Sequence, residues 1–319
     1  MFQPNKLLNL KTSALIKGIF IIVAVCALFA GCNNHNVTVG KFDETAFEPT
    51  EGTVASASDS MLTLRIAVSE TYCTKTACSC IGDLATREYE GLKDTLKSKY
   101  NIDLQISYFI EEYEMNDSLV ARKFDGVICK PWLAYMITPG TDIKFKRIAD
   151  LLDPSGKQWF TGMFIVKKES DVKTLHEIDG KSLAAGQQDS YEKYHSPLAM
   201  LEKEGIVPKE ITNKASCTEC INMLLDNKAE IAIISDYALT ASCAVDIVKP
   251  EDFRIIGQTE EMPLCSVILD MSKVSEADAL RLQNALLEIS GDNAPKGLLN
   301  KGFVLPAKWA PIPFLKEKK

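Results

Sequence analysis

A chain of 319 residues with 46% hydrophobic residues is long enough to build a large core, and a net charge of −7 argues against nucleic acid as a partner. No P-loop, HExxH pattern or Ser/His/Asp order is present, so no catalytic constellation is expected and the chain is not read as an enzyme. Ten cysteines are the unusual feature of the composition.

The chain opens with a targeting segment, residues 1–31. Lys6, Lys11 and Lys17 form a basic start, and an apolar run ends in small residues, too short for a comfortable membrane span. Phe29-Ala30-Gly31-Cys32 resembles a bacterial lipobox, which makes Cys32 the candidate lipidated N-terminus. A plain uncleaved anchor would equally place the rest outside the cytoplasm. Residues 32–60 are polar and aperiodic and read as a flexible tether between the lipid bilayer and the folded part.

From residue 61 the pattern alternates between strand and helix. Residues 62–68 alternate apolar and polar positions as a strand does, and residues 81–99 carry apolar positions at helical spacing. Between them lie Cys73, Cys78 and Cys80, in the loop over the carboxyl ends of the strands where open α/β sheets bind ligands. Further strands are expected at 102–109, 124–129, 143–152, 160–168, 181–186, 229–235, 253–256 and 266–270. Helices are expected at 116–123, after Pro131, and at 194–204, 217–228 and 275–289. This rhythm predicts a parallel-type sheet with helices on both faces. Residues 157–168 and 249–264 are extended and apolar and read as two crossovers between lobes. The expected layout is a first lobe over 61–160, a second over 161–255 and a return segment over 256–319.

The cysteines recur near strand ends and helix starts. Cys129 closes a buried strand, Cys265 follows Pro263, and Cys217 and Cys220 open a helix one turn apart, where the helix dipole favours thiolate. Two readings stand side by side. An exported chain with many cysteines pairs them as disulfides. Alternatively, thiols from both lobes line a cleft and hold a soft metal ion, a metalloid or a metal-centred ligand. On that second reading the ligand set is Cys73, Cys78 and Cys80 with Cys217 and Cys220, while Cys129, Trp132 and Cys265 line the cleft. The cofactor, if any, is otherwise undetermined.

Three stretches carry a family resemblance: FTGMFIVKKESDVKTLHEIDGKSLAAGQQDSYEKYHSPLAMLEKEGIVP (160–208), KFDGVICKPWLAY (123–135) and AEIAIISDYAL (229–239). In content and order they resemble the periplasmic phosphonate-binding family of ABC-transporter solute-binding proteins. The resemblance implies a type II periplasmic-binding-protein fold, two lobes joined by paired hinge strands, with the ligand between them. It also implies an ABC permease as partner. The family's Ser/Thr-rich loop, which hydrogen-bonds a phosphonate, is matched here by Ser190, Tyr191, Glu192, Lys193, Tyr194 and His195. Ser190, Lys193 and His195 suit a ligand; Glu192 would repel an oxyanion. The expected function is a lipid-anchored solute-binding protein of the cell envelope. Its alternatives are a sensing partner of a histidine kinase and a thiol redox or metallocofactor protein.

Overall fold

The strand that starts the fold shows why it sits in the middle of a sheet. β1 (Leu62–Ser69) begins with alternating exposure and ends in four buried residues, the pattern of a strand covered on both faces. The computed structural model describes residues 60–69, 89–109, 112–138, 140–153, 155–239, 249–295 and 301–309. The targeting segment, the tether, Cys32, Cys73, Cys78, Cys80 and Cys243 lie outside these residues.

In chain order β1 is followed by α1 (Glu90–Tyr100), β2 (Ile102–Tyr108), α2 (Glu112–Val120), β3 (Gly126–Cys129), α3 (Pro131–Ile137) and β4 (Phe145–Leu152). Then come β5 (Trp159–Phe160), β6 (Gly162–Lys167), β7 (Ser182–Ala185), α4 (Ser196–Lys203), β8 (Glu210–Asn213), α5 (Cys217–Leu225) and β9 (Ile231–Ser235). The chain closes with β10 (Phe253–Gln258), β11 (Met262–Pro263), β12 (Ser266–Asp270), α6 (Glu276–Glu288) and β13 (Gly302–Val304).

These strands form a six-stranded sheet in the order β13-β4-β12-β3-β1-β2 and a five-stranded sheet in the order β10-β6-β9-β7-β8. A two-stranded antiparallel ribbon, β11 with β5, lies between them in sequence on both passes of the chain. The fold is the two-lobed α/β architecture of type II periplasmic binding proteins. Neither sheet is all-parallel, contrary to the expectation. β1 runs parallel to β2 and β3, but β12 and β13 pair antiparallel. In the second lobe β7 is parallel to β8 and β9, β6 runs the other way, and β10, antiparallel to β6, runs with β7, β8 and β9. β6 and β12 are each the first strand of their sheet after a crossing between lobes and each runs against it; β13, which follows β12 through α6, is reversed with it.

Local sequence explains most element ends. α1 buries Leu92 and Leu96, four residues apart on one face, and stops at Asn101, a left-handed residue with φ 55°. Each of these leucines contributes about 1.5–3 kcal/mol of burial. α6 begins at Ser275, whose hydroxyl accepts from the Asp278 amide at 3.1 Å. α2 starts four residues before the expected Asn116, because buried Met115 and Leu119 make an i, i+4 pair that includes the earlier turn. The expected strand over 160–168 splits into β5 and β6, with Thr161 between ribbon and sheet.

One buried network within the first lobe fixes the end of the chain. Arg147 bonds Asp150 at 2.5 Å, Ser266 at 3.3 Å and the Ala307 carbonyl at 3.2 Å. Asp150 also accepts from Ser266 at 2.6 Å, Gln158 at 2.9 Å and the Ala307 amide at 3.2 Å. Every member is satisfied, which is what allows a charge pair at 7% and 0% exposure.

Candidate functional site

Two segments from different lobes meet in the cleft. From the first lobe, β3 ends at Cys129, and Lys130 leads into α3, where Pro131 occupies the first turn without costing a needed N–H. This places Lys130 and Trp132 beyond the carboxyl end of a central strand. From the second lobe, β7 runs out through Gly186 to Ser190, which caps a π-helical turn, Tyr191–His195, that continues into α4. A π turn inside a helix often marks a functional position.

The meeting point is the Glu192 carboxylate, 1% exposed. Lys130 Nζ donates to its Oε1 at 2.8 Å, Ser235 Oγ to the same oxygen at 3.1 Å, and Ser190 Oγ to Oε2 at 3.1 Å. Burial alone would raise the pKa of this group. The charges of Lys130 and Lys193 and the hydrogen bond from Lys130 outweigh it, and the carboxyl falls to about 2. Lys193 is itself disfavoured by burial, but Cys217, Glu192, Cys220 and Asp189 around it raise its pKa overall. Two glycines make room for this loop. A Cβ on Gly162 would stand 1.9 Å from the Glu192 carbonyl oxygen, and one on Gly186 would stand 2.4 Å from Lys193 Cβ.

An aromatic cluster is built around Trp132 from the same segments. Trp132 Nε1 donates to the Asp189 carbonyl at 2.8 Å, and its ring lies 4.8 Å from Tyr191, 4.9 Å from His195 and 5.6 Å from Tyr135. Tyr191 meets Trp309 edge-on at 5.5 Å, and Lys130 Nζ sits 4.7 Å from the Phe160 ring. Burial lowers the His195 pKa, opposed by the Gln188 backbone and Asp189.

The thiols are arranged differently from the expectation. Cys217 is the first residue of α5, capped by Ser216, and its sulfur accepts from the Ser235 amide at 3.5 Å. It therefore stands one residue behind the Glu192 site. Cys220 is fully buried, donates to the Ala185 carbonyl at 3.5 Å, and is pushed by burial up to about 12. The favourable helix dipole is overridden by desolvation, so Cys220 is a neutral thiol and not the expected thiolate. Cys129 and Cys265 belong to apolar clusters of the first lobe, Cys129 with Met115 and Leu133, Cys265 with Ile148 and Val267. The four described cysteines form no disulfide among themselves. Among the described residues, no three His, Cys, Asp or Glu side chains form a group that could hold a metal ion.

Of the residues singled out in the sequence, the structure thus brings together Trp132, Ser190, Lys193, His195 and Cys217, and leaves Cys220, Cys129 and Cys265 in cores. Lys130, Ser235 and Gly162 were not singled out. The signal for Lys130 was the Lys-Pro pair closing an apolar strand; Ser235 had the same position at the end of β9.

Comparison with known proteins identifies the architecture. Residues 83–304 match the family described as ABC transporter, phosphonate, periplasmic substrate-binding protein. The chain belongs to this family. Among solved structures it is similar to XAC2383 from Xanthomonas citri bound to ATP, at 14% identity and a TM-score of 0.58 over 77% of this chain and 91% of that one. PhnD1 from Prochlorococcus marinus in complex with methylphosphonate is similar at 12% identity and 0.55 over 76% and 92%. A binding-protein component of an ABC phosphonate transporter from Pseudomonas aeruginosa is similar at 13% identity and 0.53 over 77% and 82%. No curated protein is similar in sequence. The phosphonate-binding family is non-enzymatic and acts outside the cytoplasm, delivering a small molecule to a membrane permease. No helix among the described residues is long and apolar enough to cross a membrane.

Proposed function

We propose that this member of the family is a lipoprotein, tethered through Cys32, that captures its solute between the lobes and hands it to an ABC permease. The observation that carries the reading is that side chains of both lobes converge on one point: Lys130 and Trp132 from the first, Glu192 and the Asp189 carbonyl from the second. Such contacts form only when the lobes are together, so they couple capture to the shape a permease reads. The paired strands β5 and β11 are the hinge of this motion, and 61–160 with 256–319 and 161–255 are the moving bodies.

The cleft chemistry we put forward is polar and aromatic: Trp132, Ser190, Lys193 and His195. A grip by thiolates has less support, because Cys220 is held as a neutral thiol and Cys129 and Cys265 pack into cores. The test is a melting-temperature panel on the mature protein with phosphonates, sulfonates, nucleotides, amino acids, Zn²⁺ and arsenite. Native mass spectrometry would follow any hit. We expect an organic solute to raise the melting temperature and appear as bound mass; stabilisation by the metal arms alone would return the thiol reading. No stabilising solute in any arm would overturn the solute-binding proposal.

A further inference from the structure

The donors around Glu192 are those a bound oxyanion would use. A lysine ammonium from one lobe and two hydroxyls from the other converge on two oxygens that carry one negative charge. Lys193 adds a second cation close by, without a bond to the carboxylate. The anion that fills this set belongs to the chain itself. We propose that Glu192 is the specificity-determining residue of the cleft: its carboxylate occupies the oxyanion position formed by Lys130, Ser190 and Ser235, and so excludes phosphate-, phosphonate- and sulfate-type head groups.

The argument is one of charge and space. A dianion entering beside this carboxylate would place like charges within a few ångströms at a site where Glu192 is 1% exposed and Coulomb repulsion is far stronger than in water. Three hydrogen bonds hold the Glu192 carboxylate in this position. Its backbone lies against Gly162, and its π-helical turn continues into α4. The cleft therefore admits solutes that carry no oxyanion. This deepens the solute-binding reading and rests on it only for its biological meaning, because the anion site can be measured directly.

The experiment is calorimetric titration of the purified mature protein with inorganic phosphate, methylphosphonate and sulfate. In E192S the carboxylate is gone, Lys130 is left uncompensated, and the vacated space is lined by Lys130, Ser190 and Ser235. We expect E192S to bind at least one of these anions roughly 100-fold more tightly than the wild type, as one charge-assisted site gained and one repulsion lost would give. In K130M/E192S the gain should disappear. If E192S needs an anion to fold, phosphate should raise its melting temperature while leaving that of the wild type unchanged. E192Q keeps the shape and removes the charge; about a tenfold gain is expected there. Wild-type binding as tight as that of E192S, or E192Q and E192S both no tighter than the wild type, would overturn the proposal. An empty solute panel with anion binding gained in E192S would instead fail the transport reading and leave this one standing.

Discussion

Among the described residues, two ion pairs are buried to nearly equal degree and serve different uses. Arg147–Asp150 lies three residues apart in one strand of the first lobe, at 7% and 0% exposure. Lys130–Glu192 lies 62 residues apart and spans the cleft, at 9% and 1%. Both meet the requirement that a buried charge be paired and fully hydrogen-bonded. The first ties β4, β12 and the chain end into one body. The second ties two bodies that a hinge can separate. The same chemistry acts as scaffold when its partners share a sheet and as latch when they do not.

The largest expected effect comes from breaking the scaffold. Arg147→Met leaves Asp150 buried with its charge uncompensated and frees the Ala307 carbonyl. We expect a loss of about 3–5 kcal/mol in chemical denaturation. The radius of gyration should be unchanged, since no contact across the cleft is removed. A destabilised R147M whose lobes also open would erase the distinction between the two pairs.

Breaking the latch should cost somewhat less and change shape. The depression of Glu192 from its ordinary 4.5 to about 2 corresponds to about 3 kcal/mol of stabilisation of the ionised form. For a carboxyl with a depressed folded pKa, that stability is fully present above the unfolded value. It is lost as pH falls from about 4.5 through about 2. Lys130→Met should remove this acid-side slope and lower stability by about 3 kcal/mol. It should also raise the radius of gyration, because the unpaired carboxylate is better solvated with the cleft open. Small-angle scattering at pH 7 and denaturation at pH 3 and 7 test both parts.

How far these features were legible in the sequence differs between the pairs as well. The alternation in residues 62–68 and the helical spacing in 276–288 located β1 and α6, because each buries one face in a pattern the chain itself carries. β8 was not anticipated, since its residues lie mostly exposed at a sheet edge, and β13 is three residues long. The sign conflict at Glu192 was visible as a residue that would repel an oxyanion. Its partner was not, because Lys130 reaches it only through the docking of two lobes. The cysteines misled for a related reason: position at a strand end or helix start is readable, but whether a thiol there faces solvent or core is not. Cys217 and Cys220 share a helix turn and one apolar cluster, and differ in partner: Ser235 for the first, the Ala185 carbonyl for the second.

A smaller effect sharpens the comparison at the latch without touching its charges. Gly162→Ala places a methyl 1.9 Å from the Glu192 carbonyl, so the backbone of the loop must move. Overpacking of this kind costs about 1–3 kcal/mol. The displaced loop should weaken the Lys130–Glu192 bond, and the expected sign is a small rise in the acid-side pKa of the protein together with loss of stability. Gly291→Ala, at a left-handed turn with open space around its Cβ position, is the control: it should destabilise through backbone strain alone and leave the acid-side titration unchanged.

The smallest expected effect concerns the thiol behind the site. Cys220 donates to the Ala185 carbonyl at 3.5 Å, and its pKa of about 12 leaves almost no thiolate at pH 8. Iodoacetamide should therefore fail to modify Cys220 in the folded protein at pH 8 and should react once the chain is unfolded, as peptide mapping would show. Cys220→Ser keeps a donor to Ala185 in a slightly smaller volume, and about 1 kcal/mol of destabilisation is expected from the changed packing and polarity. Neither the radius of gyration nor the acid-side titration of Glu192 should change. Rapid alkylation of Cys220 in the native state, or loss of solute binding in C220S with stability intact, would move this thiol from the core of the second lobe into the cleft and restore the thiolate reading of the site.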